Sequence, residues 1–239
     1  SGQALYRHYR KILRESPMEL FYVGAREPEE VYGLLKNLFA GVDRHYVPLQ
    51  PQTPFHDGGE SHLVEEMNIT QSKLAMGYVT EITNRTPEFA AMQLLNNVFG
   101  GGMTSKLFMN IREKLSLCYS IGTSYSGTKG IVTLSAGIDA DQEETVRREV
   151  ARLLEDCRQG RVTAEELSAA REAVLMGLSS VQDSPGAIES YHYTAAISGI
   201  ALDLEQYRQA VLAVTMEDVV AAAGSLRLHS SYFLKGVGL

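Results

Sequence analysis

The segment from Leu94 to Ile138, LLNNVFGGGMTSKLFMNIREKLSLCYSIGTSYSGTKGIVTLSAGI, changes its hydrophobic period midway, from that of a helix to that of a strand. Up to Phe99 the apolar residues are spaced as in a helix; from Cys118 they alternate with polar ones, as in a strand. Between the two, Gly100, Gly101 and Gly102 stop the helix and supply a flexible turn that allows close backbone approach. A short amphipathic piece, Ser105 to Lys114, follows and carries Arg112. Tyr119 stands at the start of the strand, seven residues further on. One polar side chain at a helix end and one at a strand start can converge on a single ligand.

The flanking sequence places this segment in an α+β fold. Residues 1–16 read as a polar helix or arm, closed by Pro17, and Met18 to Val23 (MELFYV) reads as a compact strand. Pro28 begins a helix that runs to Phe39, with Glu29 and Glu30 in its first turn. Residues 40–60 hold three prolines, Gly58 and Gly59, and read as a loop. Strands are expected at His62–Asn68 and Lys73–Ile82, then a helix at Phe89–Phe99. Tyr119–Tyr125 and Gly130–Ile138 form a hairpin about Ser126–Lys129. A helix capped by Asp139–Gln142 ends at Gly160, and a near capping box at Thr163–Glu166 opens the longest helix, to about Val181. Helical pieces at Ala187–Ile197, Leu204–Val211 and Met216–Ala223 and a strand at His229–Leu234 complete the chain. Adjacent strands with helices gathered between them predict an antiparallel or mixed sheet covered by helices on one face. The expected organisation is an arm at 1–16 and a single domain over 17–239.

Charge and cysteine usage exclude several partners. A net charge of −7 without a basic block argues against nucleic acid. No apolar run approaches the ~18 residues of a membrane span. Cys118 and Cys157 read as free thiols of a reducing compartment, which predicts a cytoplasmic location. The opening SGQALYRHYRKILRES has no apolar core of a signal peptide. Starting with Ser-Gly instead of Met, the chain reads as a piece of a longer protein, so that observation describes the piece alone.

Each candidate site has a plainer alternative. His62-Leu63-Val64-Glu65-Glu66 approaches the zinc motif H-x-x-E-H but has Glu at its last position, and on a strand Glu65 would point away from His62. No metal ligands are expected in this chain. GGGMTSK, Gly100 to Lys106, lacks the Gly-Lys-Ser/Thr order of a phosphate loop. Ser120, Ser124 and Ser126 have no histidine near them in sequence, and Cys118 reads as a packed small residue. Arg112 and Tyr119 suit recognition of a carbonyl or oxyanion; the plainer alternative pairs Arg112 with Glu113 or Asp139 and half-buries Tyr119 in the sheet.

The run FGGGMTSKLFMNIREKLSLCYSIGTSYSGTKGIVTLSAGI resembles the second-half signature of the insulinase and mitochondrial-processing-peptidase family (pitrilysin-like, inverzincin), zinc peptidases with an inverted motif. MELFYVGAREPEEVYGLLKNLF, ITQSKLAMGYVT, VTAEELSAAREAVLMGLSSVQDSP and VTMEDVVAAAGSLRLHSSYFL fit the same pattern, so the resemblance covers nearly the whole chain. Within the family it is most similar to bacterial processing-peptidase-like proteins of the Gram-positive type.

The resemblance implies two similar α+β halves, fused or as separate subunits, closing around an unfolded peptide. The first half carries H-x-x-E-H and holds zinc; the second supplies an Arg and a Tyr, matched here by Arg112 and Tyr119, to the shared catalytic site. Gly100, Gly101 and Gly102 match the substrate-binding turn beside them. The cofactor expectation is therefore no metal in this chain and zinc in the partner half, with the chain inactive alone. The expected partner is an H-x-x-E-H half in the same chain or a sister subunit, with dimerisation open. In this subgroup one of two sister proteins has also lost the zinc motif, and then a separate partner would be needed. The alternative function is a non-catalytic structural or peptide-binding subunit of the same fold.

Overall fold

The computed structural model describes residues 1–47, 60–200 and 203–238. In chain order the elements are α1 (Gly2–Glu15), α2 (Pro28–Phe39), β1 (Ser61–Met67), β2 (Ser72–Val79), α3 (Phe89–Asn96), β3 (Cys118–Ser126), β4 (Ile131–Ile138), α4 (Glu143–Arg158), α5 (Ala164–Val181), α6 (Pro185–Ser198), α7 (Leu204–Ala213), α8 (Met216–Ser225) and β5 (Arg227–Gly236). They fall into two compact units, Ser1–Phe55 with Val181–Gly199, and His56–Ser180 with Ile200–Leu239.

The second unit is built on a five-stranded mixed sheet of order β1-β5-β2-β4-β3, in which β1 and β5 run parallel and the other neighbours antiparallel. Alternation makes it one-sided. Leu74, Met76 and Tyr78 of β2 and Val132, Leu134 and Ala136 of β4 are buried, while Lys73, Thr133 and Ser135 between them are exposed. Six of the eight residues of α3 are buried, so it is a core helix, packed against β3, α7 and α8. α4 buries Val146, Val150, Leu153, Leu154 and Cys157, a stripe at three- and four-residue spacing, and packs on α8. Both capping boxes close. Thr163 N donates to Glu166 and Glu166 N to Thr163 Oγ1; Thr215 and Asp218 do the same for α8. The β3–β4 hairpin ends in Gly130 at φ 63, where a side chain would also run into the Thr80 carbonyl.

The first unit contains α1, α2 and α6, the last starting at Pro185 because proline is tolerated in a first helical turn. Arg44 closes the end of α1, donating from Nη1 to Leu13 O at 2.7 Å and from Nη2 to Ser16 O at 2.8 Å. Phe21 meets Tyr193 edge-on at 6.3 Å. The strand expected over Met18–Val23 is absent: these residues hold no regular structure. A strand needs a neighbour, and among the described residues the backbone of residues 17–25 bonds to no other backbone group. Of the loop expected at 40–60, residues 48–59 lie outside the described residues. No helix among the described residues is long and apolar enough to cross a membrane.

Candidate functional site

The end of α3 brings the glycines against the sheet. Beyond Asn96 the helix widens into a π-helical turn, Asn97–Gly101. A β-carbon on Gly100 would lie 2.7 Å from both Leu107 Cδ1 and Thr123 side-chain atoms, and one on Gly122 would lie 3.3 Å from Gly100 O. Two glycines thus let the helix end and β3 touch through their backbones. A β-carbon on Gly101 would lie 3.0 Å from Asn96 Nδ2 of its own helix, whereas Gly102 is extended and a β-carbon there would meet nothing within 4 Å. All three line a cleft of about 460 Å³ with Met103, Phe108 and the hydroxyl side chains of β3 and β4. None of the lining residues is charged.

The segment that follows is anchored at its start. Ser105 Oγ donates to Gly102 O at 2.6 Å, and Lys106, buried, pairs with Glu166 at 2.8 Å. Asn110 Nδ2 donates back to Lys106 O, and the chain widens again into a π-helical turn over Phe108–Lys114. Arg112 lies on this turn with its guanidinium 4.6 Å from the centre of the Phe108 ring. Its Nε donates to Tyr119 O at 3.1 Å and its Nη1 to Glu113 Oε1 at 3.0 Å; Nη2 bonds to nothing among the described residues.

Tyr119 is aimed by two backbone irregularities. Ser116 takes a left-handed conformation, φ 52, at the turn from helix to strand. Cys118 then faces Ile138 while Ser120 faces Gly137, which makes Tyr119 the extra residue of a β-bulge. Its side chain is 61% exposed, and its hydroxyl donates to Asp139 Oδ1 at 3.2 Å. That hydrogen bond, and then the negative charge of Asp139, push the phenol above its ordinary value of 10.0.

The structure therefore brings Arg112 and Tyr119 together through one side-chain-to-backbone bond, and places Gly100–Gly102 on the cleft beside Phe108. The alternative pairing of Arg112 with Glu113 is present as well, but Asp139 engages Tyr119 instead of Arg112, and Tyr119 is not half-buried. Sequence reasoning missed Phe108, Gly122 and the bulge. Phe108 had a readable signal, its four-residue spacing from Arg112. Burial raises the Cys118 thiol above 9.0, and the Arg112 charge opposes that, so burial disfavours its thiolate. His62 on β1 hydrogen-bonds Ser231 Oγ at 2.8 Å and lies 3.2 Å from Glu143; Glu65 bonds Tyr232 instead. Among the described residues no group of three or more His, Cys, Asp or Glu could hold a metal ion.

A family model described as "Peptidase M16 inactive domain" matches residues 1–174. The chain is 24% identical over 236 residues to a Bacillus subtilis (strain 168) protein named "Probable inactive metalloprotease YmfF", covering 99% of this chain and 55% of that one. It superposes on a conserved protein from Enterococcus faecalis V583 with a TM-score of 0.87 and 27% identity, covering 98% of this chain and 55% of the other. A peptidase M16 inactive domain from Pseudomonas fluorescens shares the fold, with a TM-score of 0.75 at 18% identity over 89% of this chain and 52% of its own. The chain spans about half the length of the curated relatives it matches.

Proposed function

The chain belongs to the peptidase M16 inactive-domain family, and from that premise we propose that it lends Arg112 and Tyr119 to a peptide-hydrolysis site completed by a zinc-binding half. That half lies in the same chain or in a sister subunit. In this reading the metal and the water it activates belong to the other half. The substrate is an unfolded peptide, and this chain alone is inactive. Residues 17–239 form the body of the half, residues 1–16 join it to its neighbour, and the assembly works in the cytoplasm.

The supporting observation is the Arg112 Nε to Tyr119 O bond, which ties the guanidinium of Arg112 to the backbone of Tyr119. Phe108 backs the guanidinium and leaves Nη2 available. When a peptide carbonyl becomes tetrahedral its oxygen gains negative charge, and pre-placed N–H and O–H donors stabilise that charge more than the ground state. Arg112 Nη2 supplies one such donor. Tyr119 supplies the second when its hydroxyl turns from Asp139 to the substrate, since an ordinary phenol holds its proton at neutral pH. Gly100–Gly102 hold the peptide backbone along the uncharged cleft.

In the assembled protein, Arg112→Ala and Tyr119→Phe are each expected to lower kcat/KM by ~10²–10³, the usual cost of one oxyanion donor. Zinc content should stay unchanged. Unaltered kinetics in both variants would sink the proposal. A second reading, a non-catalytic peptide-binding or scaffolding subunit, draws on the pairing of Arg112 with Glu113 and of Tyr119 with Asp139. It draws too on the inactivity in the name of the Bacillus relative. Cleavage of an unstructured fluorogenic peptide by the full-length protein separates the two.

A further inference from the structure

We infer that the cavity between helix α4 and the β1 edge of the sheet is a binding site for a primary ammonium group on an apolar stem. A short alkylamine and the side chain of a peptide lysine share that chemistry.

The register of the sheet builds the cavity. His62 of β1 stands beside Ser231 of β5, and Ser231 beside Met76 of β2, so the three form one row. Tyr78 lies two residues on, in the next row of the same face, beside Leu228. Met76 and Leu154 of α4 are buried and Leu228 is half-buried; with the Tyr78 ring they give the cavity an apolar wall. The first turns of α4 close the other side. The space is about 530 Å³, inside the ~300–1,000 Å³ range of small-ligand sites. Every residue that lines it belongs to the second unit, and it shares no lining residue with the glycine cleft.

Two polar groups on its wall are buried without a hydrogen bond. Tyr78 is 2% exposed, yet its hydroxyl bonds to nothing among the described residues. The charges it feels are those of Arg158, Glu60 and Arg147, which all line the cavity. Glu143 Oε1 is buried too. His62 Nε2 stands 3.2 Å from it and Arg147 Nη1 3.8 Å, but neither makes a hydrogen bond to it. A buried polar atom without a partner is costly, and a ligand that supplies the partner relieves that cost.

The charges on the wall decide the sign of the ligand. Arg147 Nη2 is spent on Glu60 Oε1 at 3.3 Å. Arg158 donates from Nη2 to Leu226 O at 2.7 Å and from Nε to Ala223 O at 3.3 Å. Arg148 and Glu144 are both exposed and offset one another. What remains inside is a carboxylate oxygen and a phenol oxygen beside an apolar wall. An ammonium carries three donors, enough for Glu143, Tyr78 and one water, while its stem lies on Met76 and Leu154. An anion would face Glu60, Glu143 and Glu144 with Arg148 alone to receive it.

Titration of this chain, and of the full-length protein, with n-hexylamine at neutral pH tests the inference, followed through backbone amide shifts in NMR. The amides of Glu143–Arg148 and of Tyr78 should shift saturably with n-hexylamine and stay in place with sodium hexanoate. Glu143→Gln should weaken binding ~10-fold or more and Tyr78→Phe about fivefold, the usual effects of losing a charged and a neutral hydrogen-bond partner. Phe keeps the shape of Tyr78, so that variant reports on the hydroxyl even where Glu143→Gln disturbs the helix. Shifts that do not saturate, equal binding of hexanoate, or unchanged affinity in both variants would overturn the inference. Displacement of n-hexylamine by a lysine-containing tripeptide with blocked ends would assign the site to peptide lysines. Retention of n-hexylamine against that tripeptide would assign it to free amines.

Discussion

Tyr119 and Asp139 form the contact on which the chemistry of the candidate site turns. A phenol that donates to a carboxylate gives up its proton late, because its ionised form would face a like charge. In Asp139→Asn the charge goes, and the Tyr119 phenol is expected to fall back toward 10.0, followed by NMR titration of ring-labelled tyrosine. An unchanged titration would mean that Asp139 does not govern the hydroxyl. The seven-residue spacing of Arg112 and Tyr119 was readable in the sequence. The choice of partner was not: a bulge has no residue signature here, and without it Asp139 looked equally suited to Arg112.

Among the elements, the strands and helices of the second unit were legible because their apolar periods are clean, as in Val132, Leu134 and Ala136 of β4. The two π-helical turns were not, since the apolar residues of Leu94–Phe99 read as the end of an ordinary helix. Nor was the parallel pairing of β1 with β5, whose residues are far apart in sequence. Met18–Val23 shows the converse, a strand signal without a ladder to realise it. The glycines divide by function within one turn. Gly100→Val should cost ~1–3 kcal/mol through overpacking against Leu107 and Thr123, read from urea midpoints. Gly102→Ala should stay within about 0.5 kcal/mol, because nothing lies within 4 Å of its would-be side chain. Equal costs at both positions would contradict the close approach of π-turn and strand.

For the whole molecule, two buried groups set an alkaline limit. Burial pushes the Cys157 thiol from 9.0 to about 12 and the Tyr78 phenol from 10.0 to about 12. The unfolded chain releases these protons first, so it binds fewer than the folded chain as pH rises. Their contribution is complete below pH 9.0 and is lost as pH climbs toward about 12. Urea midpoints measured across that window should decline, and Cys157→Ala should flatten the decline just above pH 9.0. A flat wild-type profile would show that these groups do not titrate in the unfolded state alone.

The interior position of β5 also has a consequence in time. His62 of β1 finds its partner Ser231 only 169 residues later in the chain. At the 5–20 residues per second of ribosomal synthesis, that wait is roughly ten to thirty seconds. Throughout it β1 has no β5 to pair with, on the side that will be parallel, and a bare strand can be captured by the wrong neighbour. Glu65 and Glu66 keep that waiting strand charged until Lys235 and Tyr232 leave the ribosome to meet them.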